Sequence, residues 1–294
     1  MRKISHEAMI GYGMILPALI YLSLFYFYPI ISAVNLSFQE YDISSGKNRF
    51  IGLANYFSIM SEDRFFNAIK NTFFFTFSCT SIELAIGMCL ALLLNRDLRD
   101  KGLFRTLLLT PLMLTPVVYS LQFRWMYADQ YGVINNILKG LGIAGPLWIA
   151  DANIAMYSIM ITMIWAATPF VMIVLLAGLQ SIPPELYEAA QIDGASIWNT
   201  FKNITLPLLK PAILVVLLIR TMDAFKMFDI FYILTGGGPG FATEVLSIYI
   251  YKTAFSYLNL GKASALSCIM TLIISMIALV YIQLFRISSS QEYR

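Results

Sequence analysis

Long apolar runs alternate with short polar connectors along this chain. A helix that crosses a membrane needs about 20 consecutive, mostly apolar residues. Six runs are long enough, at residues 9–36, 68–94, 105–127, 153–179, 206–234 and 263–286. The pattern therefore predicts an all-α membrane protein with six transmembrane helices.

The composition leads to the same fold class. Hydrophobic residues make up 59% of the 294 residues and charged residues 13%, which is about half the charged share of a typical soluble domain. The net charge of +3 gives no reason to expect a nucleic-acid partner. The chain has one histidine, His6, so we predict no metal site, no catalytic residues and no enzymatic activity. Cys79, Cys89 and Cys268 fall in apolar runs and are expected to be buried free thiols.

Positive charges near the ends of the predicted spans indicate the orientation, because Lys and Arg favour the cytoplasmic side. The densest cluster, RDLRDKGLFR, follows the second span. With six spans, this cluster and both termini lie in the cytoplasm. The opening apolar run is too long for a signal peptide. The predicted organisation is a transmembrane helix and an outer loop with a surface helix at 1–66, a five-helix membrane domain at 67–288 and a short cytoplasmic tail at 289–294.

A polar insert at residues 181–207 separates the fourth and fifth spans, and we call it the elbow. Pro183 and Pro184 suit the first turn of a helix. Gly194, after Asp193, can adopt the left-handed backbone that ends a helix, and Ser196 can cap a second one. The pattern predicts a helix-turn-helix on the cytoplasmic face. These residues alone are equally compatible with a hairpin lying on lipid headgroups.

The residue spacing in the elbow resembles a known signature. Glu188-Ala189-Ala190, Gly194, Ile204 and Leu206-Pro207 match the coupling loop in permease subunits of binding-protein-dependent ABC importers. The resemblance implies the type I importer permease fold, with the elbow docked in a cleft of a separate ATPase subunit. The coupling residues it implies are Glu188, Ala189, Ala190, Asp193, Gly194, Ile204, Leu206 and Pro207.

Other segments resemble the carbohydrate-uptake branch of that family, which includes the maltose permeases. They are Phe104-Arg105-Thr106, Trp165 with Pro169, and Leu234-Thr235-Gly236-Gly237-Gly238-Pro239-Gly240. The resemblance implies a minimal six-helix permease in the plasma (inner) membrane of a bacterium or archaeon, which imports a sugar or sugar-like solute by alternating access. The implied partners are a second related permease subunit, two ATPase subunits, an extracytoplasmic solute-binding protein and the lipid bilayer. ATP and magnesium would be bound by the ATPase subunits, and this chain would hold no cofactor.

The glycine-rich segment after the fifth span, which we call the glycine loop, is not a nucleotide site. A phosphate-binding loop ends in Gly-Lys-Ser/Thr, whereas Pro239, Gly240 and Phe241 end this one. The loop is also predicted to lie outside the cell. Its residues Gly236, Gly237, Gly238 and Pro239 are therefore expected to contact the second permease subunit or the solute-binding protein.

Four charged residues, Arg220, Asp223, Lys226 and Asp229, are spaced by three within the fifth predicted span. Charges at membrane depth rarely face lipid, so they form either a structural ion-pair ladder or part of a solute pathway. Glu83 in the second span is expected to pair with another subunit or to face a water-filled cavity. Together with the family resemblance, these charges suggest a pathway lined by Ala166, Ala167, Phe170, Arg220, Asp223, Ala224 and Met227.

Two other functions can be compared with the importer. An ion-coupled secondary transporter would use the intramembrane Asp and Lys residues as coupling sites, but it offers no role for the elbow and would often show inverted repeats. A membrane-embedded enzyme would need a convergent catalytic set, and the sequence has neither an HExxH nor a GxSxG motif.

Overall fold

The computed structural model of the protein describes residues 6–42, 46–96 and 100–291. Within these ranges, five helices are long and apolar enough to cross a membrane, and a sixth span is present if one bent pair of helices is counted as one. The five are Gly11–Ser37, Asp63–Leu94, Ala155–Gln180, Ile197–Phe225 and Leu260–Leu284. The predicted all-α membrane fold is confirmed. Asp97 to Arg99 of the basic cluster and the last three residues of the predicted tail lie outside the described residues.

The helices follow one another with few strands between them. They are α1 (His6–Leu22), α2 (Tyr28–Ser37), α3 (Ala54–Met60), α4 (Asp63–Leu94), α5 (Lys101–Leu109), α6 (Pro116–Met126), α7 (Val133–Gly140), α8 (Ala155–Gln180), α9 (Pro184–Ile192), α10 (Ile197–Thr200), α11 (Leu206–Phe225), α12 (Asp229–Leu234), α13 (Leu246–Tyr251) and α14 (Leu260–Gln291). Single π-helical turns join α1 to α2 and α10 to α11.

The chain forms two compact units, of which the first comprises Met1–Glu62 and Ile250–Leu272. The predicted surface helix is present as α3, but part of the predicted loop is an antiparallel hairpin of β1 (Gln39–Asp42) and β2 (Lys47–Phe50). The Asn55 amide donates hydrogen bonds of 2.9 Å to the carbonyls of Ser37 and Gln39, which ties α3 to the start of the hairpin.

The second unit comprises Asp63–Tyr249 and Ile273–Arg294, and one of its two apolar cores lies between α4, α8 and α11. Two glycines let these helices approach closely. A Cβ on Gly87 of α4 would lie 2.6 Å from Val171 Cγ1 of α8, and a Cβ on Gly178 of α8 would lie 2.7 Å from Leu209 Cδ1 of α11. Close packing of this kind makes α8 a shared wall against both neighbours.

The predicted span 105–127 is not one straight helix. Helix α5 continues into a 3₁₀ turn at Thr110–Met113, and α6 begins at Pro116 with a bend of 96°. Thr115 has an extended backbone, because the residue before a proline is disfavoured in helical conformation. This predicted span is therefore present only as a bent pair of helices, and its break lies where Pro111 and Pro116 interrupt the apolar run.

The predicted span 206–234 is also interrupted. Helix α11 ends at Phe225, and α12 begins only at Asp229. Asp229 is therefore not on the same helix as Arg220, and a three-residue spacing along one continuous helix does not describe the four charges.

The cysteines differ in exposure, although all three are free thiols. Cys79 is buried, Cys268 is half-buried and Cys89 is exposed. The expectation of three buried thiols was wrong for Cys89, because an apolar run on a spanning helix can face lipid as well as the protein core.

Candidate functional site

A cavity of about 510 Å³ lies in the second unit, where α6, α8 and the end of α11 meet. Six of the seven residues predicted for the pathway line it: Ala166, Ala167, Phe170, Arg220, Asp223 and Met227. The seventh, Ala224, is 2% exposed and belongs to the apolar core beside the cavity. Tyr119, Lys226, Phe228 and Asp229 also line the cavity, together with residues from the 110–116 break.

Behind the cavity wall, Arg220 of α11 binds Glu83 of α4. Arg220 Nε donates to Glu83 Oε2 at 2.8 Å and Nη2 donates to Oε1 at 3.3 Å. The Glu83 side chain is fully buried and that of Arg220 is 9% exposed. Neither expectation for Glu83 is met, since its partner lies in the same chain and 137 residues away.

The ion pair continues toward the cavity opening. Arg220 Nη1 lies 3.8 Å from Asp223 Oδ2, and Lys226 Nζ lies 3.0 Å from Asp223 Oδ1. Asp229 also lines the cavity, but no cation of the described chain forms an ion pair with it. The ion-pair ladder thus contains three of the four predicted residues, Arg220, Asp223 and Lys226. Its buried end is the contact between Arg220 and the carboxylate of Glu83.

The glycine loop has a fixed shape. Gly236, Gly237 and Gly240 have positive φ angles of 59°, 89° and 54°, which glycine adopts without steric cost. Inside the loop, the Thr243 hydroxyl donates to the Gly238 carbonyl at 2.7 Å and lies 2.7 Å from the Thr235 hydroxyl. The glycines were recognisable in the sequence, whereas these threonine contacts were not.

One face of α4 holds the end of the glycine loop. Asn67 donates to the Phe241 carbonyl at 3.0 Å. Asn71 donates to the carbonyls of Ala242 and Glu244 at 3.2 and 3.1 Å. Arg64 lies on the same helix face, because residues separated by three or four share a face. We call Arg64, Asn67 and Asn71 the loop clamp; the sequence analysis missed it, since only the helical spacing of its members was visible there.

The elbow is a helix-turn-helix whose turn is built around Gly194. The Ala195 N–H donates to the Ala190 carbonyl at 2.9 Å and the Gly194 N–H donates to the Gln191 carbonyl at 3.1 Å. This pair of bonds is the Schellman motif, which requires a left-handed residue, and Gly194 has φ of +71°. Ser196 then accepts a hydrogen bond from the Asn199 N–H and caps α10, as predicted.

The turn of the elbow exposes a small apolar surface. Ile192, Ile197 and Trp198 are 86%, 83% and 68% exposed. Of the predicted coupling residues, six are exposed, Ala190 is buried and Ile204 is half-buried; the exposed ones are Glu188, Ala189, Asp193, Gly194, Leu206 and Pro207.

The elbow connects the two helices that carry most of the predicted pathway. It begins where α8 ends and finishes where α11 begins. Helix α8 supplies Ala166, Ala167 and Phe170 to the cavity, and α11 supplies Arg220 and Asp223. From the helical rise, the elbow lies about 15–21 Å along these helices from the cavity.

Comparison with known proteins identifies the family. Residues 53–290 match the family described as the inner membrane component of binding-protein-dependent transport systems. The chain belongs to this family of transport permeases.

Similar permeases are found in both archaea and bacteria. The chain is 39% identical over 283 residues to the trehalose/maltose transport system permease protein MalF of Thermococcus litoralis, covering 95% of each protein. It is 40% identical over 271 residues to the sulfoquinovosyl glycerol transport system permease protein SmoG of Agrobacterium fabrum, covering 92% of this chain and 88% of that one. A crystal structure of a bacterial ABC transporter that imports the acidic polysaccharide alginate matches 95% of this chain and 96% of its own, with a TM-score of 0.85 and 26% identity.

Membership of this permease family decides between the functions considered above. The chain is a permease of the ABC importer type and, as predicted, not an enzyme. The ion-coupled secondary transporter finds no support among these relatives.

Proposed function

We infer that this permease forms one half of the translocation pathway for a sugar or sugar-like solute. The relatives named for trehalose and maltose, for sulfoquinovosyl glycerol and for alginate support this solute class. The cavity also suits such a solute, since Phe170, Tyr119 and Phe228 provide aromatic surface beside charged groups, and ligand pockets combine apolar walls with a few polar groups.

The connection of the elbow to both α8 and α11 is the observation that supports a coupling role most directly. The base of the elbow is held by a hydrogen-bonding contact of 3.2 Å between the hydroxyls of Tyr187 and Thr205. Beyond it, Gly178 packs against Leu209. A displacement of the elbow would therefore move the cavity-lining parts of α8 and α11, because packed helices transmit strain.

In the proposed cycle, ATP closes a pair of ATPase subunits, one of which holds the elbow, and the pathway becomes open to the outside. Hydrolysis returns the inward-open state. The elbow contacts must differ in free energy between the two states, since only a difference in affinity shifts a conformational equilibrium. Gly194 would allow the turn to enter the cleft of the ATPase, with Glu188, Ala189 and Asp193 exposed beside it.

The remaining partners follow from this function. A second, related permease subunit would complete the pathway, as expected where two similar chains surround one axis. A solute-binding protein would deliver the solute on the outer face, where we place the glycine loop with Gly236, Gly237, Gly238 and Pro239. ATP and magnesium would be held by the two ATPase subunits. We place both termini in the cytoplasm and the chain in the plasma membrane.

The test is to purify the tagged chain from its own cells in mild detergent and to identify the proteins that accompany it. Recovery of an ATPase with a phosphate-binding loop and of a second permease is the expected result. Recovery of the chain alone, with solute transport in liposomes that needs no ATP, would overturn the proposal.

A further inference from the structure

We propose that the cavity selects uncharged, hydroxyl-rich solutes against anionic ones. The proposal rests on the function inferred above, in which the cavity is part of the pathway. Its basis is the way in which the charged residues of the cavity are already paired with one another in this chain, and not the solutes of the relatives, since alginate is itself acidic.

Arg220 is not available to a solute anion. Its Nε and Nη2 atoms donate to Glu83, and its Nη1 atom faces Asp223 at 3.8 Å. A solute carboxylate that captured this guanidinium would leave the Glu83 carboxylate, which is 0% exposed, without a counter-charge in an apolar surrounding. Removing a partner from a buried ion pair is strongly unfavourable.

Lys226 is the other cation of the cavity, and it is more accessible. Its side chain is 61% exposed, but Nζ lies 3.0 Å from Asp223. If Lys226 turned to a solute anion, the carboxylate of Asp223, which is 38% exposed, would remain three residues away, in the last turn of α11. The anion would then meet a carboxylate beside the cation.

The balance of charges is therefore unfavourable to anions. Buried Glu83 offsets Arg220 and Asp223 offsets Lys226, so the carboxylate of Asp229 is left in the lining with no ion pair to a cation of the described chain. The other residues that line the cavity carry no charge. A net negative surrounding repels anions, and a low-dielectric wall strengthens the effect.

The same groups suit hydroxyl groups. A carboxylate accepts hydrogen bonds and an ammonium donates them, so Asp229 and Lys226 offer both to a solute without losing their own charge balance. Tyr119 adds a hydroxyl to the lining, and Phe170 adds an apolar ring. Neutral saccharides present many hydroxyls and apolar ring faces, which matches this set.

The experiment measures the electrostatic preference of the cavity directly, without the solute-binding protein. The complete importer is prepared in nanodiscs with Met227→Cys in a background where Cys79 is replaced by Ala, and Cys89 and Cys268 by Ser. A second preparation carries Ile219→Cys, because Met227 also touches the core. Methanethiosulfonate reagents that are neutral, cationic (trimethylammonium-ethyl) or anionic (sulfonatoethyl) are then applied, and each rate is divided by the rate with a free thiol.

We expect the normalised rate to be about tenfold higher for the cationic than for the anionic reagent. A net negative charge of one at about 6 Å, in a water-like dielectric, favours the cation and disfavours the anion by about 0.7 kcal/mol each. Asp223→Asn should bring the ratio close to one, and Asp223→Asn with Asp229→Asn should reverse it. A ratio of one or below with all carboxylates intact would overturn the charge preference. Failure of the proposed function would give a different result. The neutral reagent would then reach neither cysteine, or it would react at a rate that ATP does not change. Either result would overturn the proposed function and the charge preference together.

Discussion

Arg64 and Glu244 are joined by two hydrogen bonds, although 180 residues separate them in the sequence. Arg64 Nε donates to Glu244 Oε2 at 2.6 Å, and Nη2 donates to Oε1 at 2.9 Å. The guanidinium also lies over the rings of Phe241 and Tyr249, at 4.6 and 4.8 Å from their centroids. The Glu244 side chain is 0% exposed, so this pair fixes the end of the glycine loop on α4.

Replacement of Arg64 by Gln should loosen the glycine loop. The buried carboxylate of Glu244 would lose both hydrogen bonds from Arg64, at a cost of about 3 kcal/mol, and we expect faster proteolytic cleavage between residues 235 and 243. Arg64→Gln combined with Glu244→Gln should restore part of the protection, since a neutral amide at position 244 is less costly to bury than a carboxylate. Equal cleavage rates for Arg64→Gln and the parent protein would contradict the role of the loop clamp.

Replacement of Gly194 by Val should uncouple the permease from its ATPase. A left-handed backbone costs an ordinary L-residue about 1–2 kcal/mol, and no atom lies within 4 Å of the added Cβ, so the effect is on the turn itself. We expect normal membrane insertion with little ATPase recovered and little uptake. Normal uptake by this variant would show that the elbow does not couple the two subunits.

Gly142→Val is the matched control for that variant. Gly142 has φ of +77°, and no atom lies within 4 Å of an added Cβ. It forms the same Schellman motif after α7: the Gly142 N–H donates to the Lys139 carbonyl and the Ile143 N–H donates to the Leu138 carbonyl. Gly142→Val should lower the stability of the permease about as much as Gly194→Val does, and it should leave ATPase recovery unchanged.

Replacement of Gly178 by Ala should destabilise the packing of α8 on α11. The new Cβ would lie 2.7 Å from Leu209 Cδ1 and 3.0 Å from Ala212 Cβ, and overpacking of this kind costs about 1–3 kcal/mol. The measurement is the thermal unfolding midpoint in detergent. Addition of Leu209→Ala should cost less in the Gly178→Ala protein than alone, because the two residues are in contact. Gly140→Ala, where no atom lies within 4 Å of the Cβ, is the control and should leave the midpoint unchanged. Strictly additive effects of Gly178→Ala and Leu209→Ala would contradict the contact between these two residues.

Replacement of Arg220 by Ala should reduce the amount of folded protein, not uptake alone. It leaves Glu83 buried without a partner, and breaking a buried pair costs about 3–5 kcal/mol. The check is size-exclusion chromatography of the solubilised protein. Arg220→Met with Glu83→Leu should recover a folded protein, since an apolar pair of similar volume often replaces a buried ion pair without loss. A normal yield of the Arg220→Ala protein would show that the pair contributes little to the fold.

The elbow was the part of the structure that local sequence predicted best. Its turn depends on Gly194 and its second helix on Ser196, and both effects act over a few neighbouring residues. The positions of the apolar spans were predictable for the same reason. The end of α11 at Phe225 was not, because neither proline nor glycine lies between Phe225 and Asp229 to mark a break.

Contacts distant in sequence could not be predicted. Glu83 was recognisable as an unusual charge at membrane depth, but the identity of its partner depended on how α4 packs against α11. The placement of Ala166 and Phe170 in a cavity rested on family resemblance and not on their residue types. The same resemblance placed Ala224 in the pathway, whereas in the structure it packs in the core.

The loop clamp has a consequence for association kinetics. Arg64, Asn67 and Asn71 hold the end of the glycine loop, and Thr243 holds the Gly238 carbonyl inside it, so the loop has little conformational entropy left to lose. A molecule that binds the loop would lose mainly its own translational and rotational freedom. Its association rate would then depend on diffusion and orientation and not on a slow ordering step.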